Sequence, residues 1–420
     1  GNRVTSVGTE SGWRSTGTDS AFFGYRAGYG ASGSTGNYNI AIGSNALKDF
    51  TSSSNNVVIG YEAGKSITTG PENVAIGKDA FKTATTAYYS VAVGYKALED
   101  CTTGYQNTAV GYQSLKDVTT GINNTAIGFD TGRTLTTAVR STLMGTQAGV
   151  LITTATDNTF IGNYAGAATT TGNWNTAIGS DALLSNTTGY NNVAIGQNAG
   201  EDSVNANNNI LIGRDSGKDI TTGGQNVSIG TYAFQTATTP ANSTAVGHSA
   251  LQKVTTGLSN TAVGRNAGIE ITTGEDNTIV GVFSGITLTT GSNNIILGHD
   301  AVSSSATVSN EITLGDTNIT KFRIPGINFE LADNGGTPTN GHVLTMASGG
   351  ATWAAGGVSS DAQGNTKGGT NAGDSFSGTD AIKNSLFGYD AGTAITTGDG
   401  NVAFGHSAGK SLTTSEDNCA

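Results

Sequence analysis

The chain has 420 residues, of which 63 are Gly, 4 are Pro and 12% are charged. Its formal net charge of −11 is spread along the sequence, so it lacks the basic footprint of a nucleic-acid-binding protein. No apolar run approaches the ~20 residues of a membrane-spanning helix, and the N-terminus does not resemble a secretion signal. Gly, Asn and Thr are poor helix formers, and this composition favours an all-β protein.

The N-terminal residues 1–19 are poorly patterned and could hold one degenerate repeat. The first clear repeat ends at Phe22-Phe23-Gly24, and from Gly43 to Gly298 a glycine recurs every 17 residues without a break. A fixed period without insertions predicts one structural unit stacked on itself. We assign residues 20–306 to this array, and we call each unit a rung, named by its glycine.

The residues before each repeat glycine follow fixed columns, as in Asn192-Val193-Ala194-Ile195-Gly196. The residue one before the glycine is Ile or Val in fourteen of sixteen rungs, and the residue three before is always β-branched. The residue two before is Ala in nine rungs. Because side chains alternate along a strand, the aliphatic columns share one face and the Ala column takes the other. We expect the aliphatic face to form the structural core, with Ile59, Ile76, Ile127, Ile178, Ile195, Ile212 and Ile229.

Each rung is predicted to contain a short strand, a Gly turn, a weak second strand around Ile-Thr-Thr, and a return turn. Asn, found four before the glycine in thirteen rungs, would stack into an amide ladder. Rungs ~4.8 Å apart would make an elongated parallel β-roll or β-solenoid of roughly 75 Å. Each rung offers few large apolar side chains against its entropy cost. We therefore expect a homotrimer packed through the Ala columns, with a monomeric solenoid as the alternative.

The period stops after the main array. Residues 307–355 are predicted to form a small non-repeat β module, and the Gly/Ser/Asn-rich residues 356–383 a linker. A second repeat array occupies residues 384–420, with glycines at Gly388 and Gly405. The next glycine of this array would fall at position 422, so the sequence stops within a repeat. We expect the chain to be part of a longer protein.

Two groups of known proteins share these motifs. The pattern of Asn73–Ala80 and Asn192–Gly200 resembles the head repeat of trimeric autotransporter adhesins, the YadA-like β-roll. The Thr-Thr-Gly-x-x-Asn-x-Ala-Ile-Gly arrays resemble bacteriophage tail fibre proteins even more, as do Phe322–Gly326 and Gly341–Thr345 in the break. The resemblance covers roughly residues 20–354 and 384–420. The autotransporters differ from this sequence in having a shorter repeat period.

The resemblance implies a left-handed trimeric β-roll in the tail fibre of a virion. Its partners would be other tail or baseplate proteins and a host cell-surface glycan or protein. The second hypothesis is an extracellular or bacterial cell-surface adhesin or filament, and the third is a polysaccharide depolymerase carried on a fibre. Neither nucleic-acid binding nor membrane insertion is expected.

One column contains the candidate binding residues. The residue directly after the repeat glycine varies widely, which is typical of a position facing solvent, and His248, His299 and His406 share this column. Aromatic residues in it could contact host glycans through their large rigid faces, or they could stack on one another and protect the rod. The candidate contacts are Tyr61, Tyr95, Tyr112 and Phe129.

The sequence predicts no enzyme and no cofactor. No phosphate-binding loop is present, and no nucleophile is paired with a base. Single carboxylates several rungs apart make a poor cation site, so no metal is expected. Cys101 lies in an apolar column seven residues after Gly94 and is expected to be a small buried apolar residue. Adjacent Thr pairs point to opposite sides of a strand, which disfavours an ice-binding face.

Overall fold

The structure is a computed structural model that describes residues 3–324, 329–332, 342–347, 350–355, 359–360, 365–368, 372–373 and 381–420. It divides into two units, Gly1–Asp316 and Thr317–Ala420. All regular secondary structure in the described residues is β-strand, which confirms the all-β prediction. The same residues contain no helix of the length and apolarity that crossing a membrane requires.

The first unit is a parallel β-solenoid of 19 strands. Each strand pairs in parallel with the next strand along the chain. The paired residues are 16 apart in the first pairing, as in Val4↔Ser20, 19 apart in the second, as in Ala21↔Ile40, and 17 apart in all later ones, as in Val193↔Ile210. The strands β1 to β19 span Val4–Val7, Ser20–Phe23, Ile40–Ile42, Val57–Ile59, Val74–Ile76, Val91–Val93, Thr108–Val110, Thr125–Ile127, Thr142–Met144, Thr159–Ile161, Thr176–Ile178, Val193–Ile195, Ile210–Ile212, Val227–Ile229, Thr244–Val246, Thr261–Val263, Thr278–Val280, Ile295–Leu297 and Ile312–Leu314. The predicted stacking of 17-residue rungs is confirmed.

The solenoid extends beyond both ends of the assigned array. Strand β1 pairs with β2, so the poorly patterned N-terminus does contribute a rung. Strand β19, in the segment assigned to the non-repeat module, pairs with β18. Parallel pairing uses backbone groups, which a degenerate side-chain pattern does not remove.

The assignment of the two strand faces was wrong. The Ala column points into the solenoid and is fully buried, for example Ala177 and Ala194 at 0% exposure. The aliphatic face points outward, and Ile127, Ile195 and Ile229 each keep more than a third of their surface exposed. The other members of the predicted core, Ile59, Ile76, Ile178 and Ile212, are half-buried. The Ala columns therefore cannot pack one chain against another.

Two columns of residues point into the interior of the solenoid, one from the strand and one from the opposite side. The residue four after the repeat glycine is Leu or Phe in seven rungs, and each of those rungs has Ala or Ser two before the glycine. In eight rungs the residue two before the repeat glycine is bulky, as Phe160 is. Seven of these eight rungs have Gly at the position four after the repeat glycine, as at Gly166. The eighth, with Ile296, lies where the chain leaves the repeat pattern. Most rungs thus place one large side chain in the interior, either from the position two before the glycine or from the position four after it.

The Leu and Phe residues that fill the core have an unusual backbone conformation. Leu183 has φ 51° and Phe81 has φ 52°, in the left-handed region. This conformation costs an L-residue roughly 1–2 kcal/mol. Both side chains are fully buried, and burying one contributes about 1.5–3 kcal/mol, enough to offset that cost.

The predicted amide ladder is confirmed, whereas the predicted second strand is not. Asn192 Nδ2 donates to Asn175 Oδ1 at 3.1 Å, and Asn192 Oδ1 accepts from the backbone N–H of Asn209 at 3.0 Å. The Ile-Thr-Thr segments form turns and bends instead of strands in the described residues. Here the carbonyl oxygen of Thr187 accepts from the backbone N–H of Thr170 at 2.9 Å and from Thr170 Oγ1 at 3.1 Å. Backbone and side-chain hydrogen bonds between turns thus take the place of a second sheet.

The second unit contains two small sheets. In the first, the hairpin of β20 (Lys321–Ile324) and β21 (Phe329–Ala332) joins that of β22 (His342–Ala347) and β23 (Gly350–Ala355) through parallel pairing of β21 with β23. In the second, β24 (Ser359–Ser360), β25 (Thr366–Gly368), β26 (Ser385–Phe387) and β27 (Val402–Phe404) pair in that order. Strand β25 lies in the segment assigned as a linker, so this part of it forms a rung instead. The remainder of that segment falls mostly outside the described residues.

Candidate functional site

The most extensive exposed feature of the solenoid is an aliphatic stripe. We define it as the residues one and three before the repeat glycines, on the outward face of β3 to β19. The residue one before is apolar in all seventeen strands, and the residue three before is Val or Ile in nine of them and Thr in eight. Exposed members recur from Ile40 and Ile42 at one end to Ile312 and Leu314 at the other. These strands are ~4.8 Å apart, so the stripe is roughly 80 Å long and, with two residues across at ~3.3 Å each, about 7 Å wide.

This area reaches that of the largest apolar patches on ordinary monomers. The stripe covers roughly 500 Å² before side-chain breadth is counted, and its apolar part without the eight Thr residues is roughly 400 Å², within the about 300–600 Å² of the largest patch on a monomer. Patches of this size are often functional, and the continuity of this one along the solenoid favours a protein–protein contact. The sequence revealed its residues, but we placed them on the wrong side of the strand.

Three of the four candidate aromatic residues form one stack on the surface, and Lys78 links the fourth to it. The ring centroids of Tyr95 and Tyr112 are 5.1 Å apart, and those of Tyr112 and Phe129 are 5.0 Å apart at 8° between planes. Lys78 Nζ lies 5.9 Å from the ring of Tyr61 and 5.8 Å from that of Tyr95. We call these five residues, on five consecutive rungs, the aromatic strip. Its exposure matches the solvent-facing position predicted for the column.

The stacking decides which parts of the rings a ligand can reach. Both faces of Tyr112 are covered, by Tyr95 on one side and Phe129 on the other. The ring edges remain accessible, since Tyr112 and Phe129 are 43% and 48% exposed. A sugar ring that stacks on an aromatic face therefore cannot use Tyr112. The edges and the tyrosine hydroxyl groups remain for contact with a ligand.

A second aromatic cluster was not identified from the sequence. Tyr88 and Tyr105 stack with ring centroids 4.6 Å apart at 7°, and Tyr89 packs its edge against Tyr88 at 5.0 Å. Tyr88 precedes β6 and Tyr95 follows it; Tyr105 and Tyr112 flank β7 in the same way. The signal was available in the column eleven after the repeat glycine. That column reads Pro71, Tyr88, Tyr105, Ile122 and Val139 over successive rungs.

A network of ion pairs crosses the same rungs. Glu62 Oε1 lies 3.0 Å from Lys65 Nζ, and Glu62 Oε2 lies 2.8 Å from Lys82 Nζ. Lys82 also contacts Asp79 Oδ1 at 3.0 Å. Hydrogen bonds from Lys82 and Lys65 hold the pKa of the Glu62 carboxyl below its usual range. The charges are paired with each other, and nothing in this network resembles an acid–base pair for catalysis.

The remaining titratable candidates are scattered. His248, His299 and His406 are exposed, as predicted, and His406 stacks on Tyr389 with ring centroids 5.2 Å apart. Burial raises the pKa of the Cys101 thiol to about 12, and its side chain is fully buried, which confirms the sequence interpretation. Within the described residues, no group of three or more His, Cys, Asp or Glu side chains is arranged to hold a metal ion.

The sequence matches no protein-family model and no curated protein.

Proposed function

We propose that this chain is a structural and host-binding fibre protein of a virion, assembled as a homotrimer through its aliphatic stripe. The single observation that supports the proposal is that stripe, which follows the solenoid from Ile40 to Leu314. A repeat array fixes the length of a rod by the number of rungs, and it needs no catalytic chemistry. The proposal assigns no enzymatic role to the chain.

The stripe replaces the Ala column as the surface between chains. Copies related by a rotation axis along the solenoid would bring identical rungs to the same height, so that each aliphatic residue meets its own equivalents. Cyclic closure by three copies is an allowed symmetry for such a contact. Burying the stripe would remove apolar surface from water at about 25 cal/mol per Å².

The mass of the assembly tests this proposal. Light scattering on the purified chain should give about three times the chain mass of 42.2 kDa. Electron micrographs should show rods of constant length. A monodisperse monomer would contradict assembly through the stripe.

The aromatic strip is proposed as a contact for a host glycan. The rings would offer their edges and hydroxyl groups, because the faces of Tyr112 are already covered. Replacing Tyr95, Tyr112 and Phe129 by Ser should weaken adsorption of the fibre to host cells. Unchanged adsorption would remove the strip from the proposal and leave it as packing that protects the rod.

The location of the protein distinguishes a virion fibre from a bacterial cell-surface adhesin or filament. Antibodies against this chain should label the tail fibres of virus particles. Labelling of the bacterial surface in uninfected cells would instead favour a cell-surface adhesin or extracellular filament. Release of reducing sugar from host envelopes by the purified fibre would contradict the absence of enzymatic activity and favour a depolymerase.

A further inference from the structure

An exposed tryptophan lies in the column twelve after the repeat glycine. This residue, Trp174, keeps 57% of its surface exposed. The same column has polar side chains on the two rungs before it and on the two rungs after it. An exposed tyrosine lies on the next rung in the neighbouring column, eleven after the glycine. We call this group of six residues the Trp174 surface: Arg140, Asp157, Trp174, Tyr190, Asn191 and Asn208.

Folding alone does not account for a tryptophan at this position. In the sixteen rungs from Gly43 to Gly298, every residue of the column has a φ in the left-handed region, and nine of the sixteen are Asn or Asp, which tolerate it. Trp174 adopts φ 58°, which is unfavourable for a bulky side chain. Leu183 offsets the same cost by burial, whereas Trp174 remains exposed. An unfavourable conformation without such compensation points to a functional site.

The indole ring of Trp174 is held by its edge. Arg140 Nε donates to Asp157 Oδ1 at 2.6 Å and Arg140 Nη2 to Asp157 Oδ2 at 2.8 Å, and this guanidinium is the main reason that the pKa of the Asp157 carboxyl lies below its usual range. The indole N–H of Trp174 is a further hydrogen-bond donor to the same carboxylate. Because that N–H lies in the plane of the ring, Trp174 turns its edge and not its face toward Asp157.

Trp174 differs from the rings of the aromatic strip in what covers it. No aromatic ring in the described part of the chain stacks on Trp174. Tyr95 and Phe129, by contrast, cover both faces of Tyr112. Tyr190, which is 43% exposed, widens the accessible aromatic area on the next rung. The ring of a ligand can therefore stack on Trp174, which it cannot do on Tyr112.

The polar groups around Trp174 carry no net charge. Arg140 and Asp157 are paired with each other, so they select neither an anion nor a cation. On the other side, Asn191 Nδ2 donates to Asn208 Oδ1 at 3.2 Å, and both residues are exposed. The other ends of these two amides are an acceptor oxygen and a donor NH₂ group. Neighbouring hydroxyl groups of a sugar need this combination, because each hydroxyl both donates and accepts.

We propose that the Trp174 surface binds an uncharged sugar unit of a polysaccharide. The apolar C–H face of the sugar ring stacks on the indole, whose large rigid face suits such a contact. The sugar hydroxyl groups exchange hydrogen bonds with Asn191 and Asn208. The aromatic strip is a separate surface, in the column directly after the glycine on the rungs from Gly60 to Gly128. Binding at Trp174 does not depend on that strip.

A sugar fits this surface better than a protein partner does. The hot spots of protein–protein contacts lie in well-packed pockets that lose all their water. Trp174 is instead surrounded by exposed polar side chains, and the extended apolar surface of the solenoid is the aliphatic stripe. One aromatic face beside two amides suits a ligand that has hydroxyl groups around an apolar ring face.

The test measures the affinity of the full-length chain for four neutral tetrasaccharides by isothermal titration calorimetry. The probes are linear tetramers of glucose, galactose, mannose and N-acetylglucosamine. At least one should bind the wild-type chain, and Trp174→Ala should weaken that binding about tenfold or more. Trp174→Tyr retains an aromatic face and should lose less. Raising NaCl from about 0.05 M to about 0.5 M should leave the affinity unchanged, because screening does not act on an uncharged ligand.

Two controls separate this surface from the rest of the chain. Trp13→Ala removes another exposed tryptophan, 70% exposed near the N-terminus, and should bind the tetrasaccharide as the wild type does. Replacing Tyr95, Tyr112 and Phe129 by Ser should also leave this binding unchanged, so that the outcome is independent of the role proposed for the aromatic strip.

Three results would overturn the proposal. The first is that none of the four tetrasaccharides binds the wild-type chain. The second is equal affinity of Trp174→Ala and the wild type. The third is a lower mass of the assembly in Trp174→Ala, measured by light scattering, which would assign Trp174 to a contact between chains. Trp174 is exposed, so both of its variants should keep the circular dichroism spectrum of the wild type.

Discussion

The ring of Phe160 occupies the space into which a side chain at Gly166 would extend. A Cβ built on Gly166 would lie 2.6 Å from Phe160 Cζ. In the next rung the arrangement is reversed, since Ala177 faces the solenoid interior and Leu183 fills it. The two positions share one volume. In each rung the large side chain comes from one of the two positions, and the other position has a small residue.

This sharing predicts strong coupling between the two positions. Phe160→Ala should lower the stability of the fold by about 3–5 kcal/mol through loss of apolar contact and the cavity left behind. Gly166→Leu alone should also destabilise, because the added side chain collides with the ring. The double variant reproduces the Ala177–Leu183 arrangement and should recover about 0.5–3 kcal/mol relative to the sum of the singles. Thermal midpoints of the four proteins measure this, and additive effects would contradict a shared volume.

Leu211 and Ile212 are adjacent in β13 and test the two faces of the strand. Leu211 is fully buried and Ile212 is half-buried. Leu211→Ala should cost about 2–5 kcal/mol of stability. Ile212→Glu, combined with Ile195→Glu, should leave the circular dichroism spectrum of the chain unchanged and lower the mass of the assembly measured by light scattering. If the double Glu variant lost its β-sheet signal while Leu211→Ala kept the fold and the assembly, Ile212 would belong to the core and Leu211 to the contact between chains.

Asn192 is expected to be much less tolerant of Ala than of Ser. Its amide donates to the carbonyl oxygen of Ala206 at 2.7 Å and accepts from Asn209. Asn192→Ala leaves these buried groups without partners, at about 1–3 kcal/mol for each group. Ser already stands in this column at Ser243, whose Oγ accepts from the backbone N–H of Asn260 at 3.0 Å. The melting temperature should therefore fall more for Ala than for Ser, and equal falls would contradict the ladder as a source of stability.

The ion pairs of Glu62 predict a loss of stability in acid. Lys82 and Lys65 lower the pKa of Glu62 in the folded chain below its ordinary value of 4.5. The unfolded state then binds a proton more readily than the folded state, so the stabilisation is full above the ordinary value and is lost as the pH falls through the folded pKa. Glu62→Gln should reduce the drop in melting temperature between neutral pH and pH about 3. Glu72→Gln is the matched control, since no ion pair to Glu72 is found in the described residues, and an equal reduction there would contradict the assignment.

The two cysteines should differ sharply in reactivity. Cys101 is fully buried, with a pKa raised to about 12, whereas Cys419 is exposed. Because the thiolate is the reactive form, a thiol reagent at pH about 8 should label one cysteine per native chain and two after denaturation. Cys419→Ser should abolish labelling of the native protein. Rapid native labelling of that variant would show that the rung at Cys101 opens.

The sequence by itself determined the repeat. The glycines from Gly43 to Gly298 set the rung length and the parallel register, and the Asn column predicted the amide ladder. These features are visible because every rung must repeat the same backbone conformation. The aromatic column after the glycine was visible for the same reason.

Only the tertiary structure decided which side of each strand faces inward. Alternation shows that Ala194 and Ile195 point to opposite sides, and general hydrophobicity suggested that Ile would be inside. A loop of 17 residues encloses room for one large side chain, and the rungs supply it either from two before the glycine, as Phe160 and Ile279 do, or from four after it, as Leu183 does. The column whose side chains vary in size to share that room points inward, and the column of Ile195 lies on the outer surface.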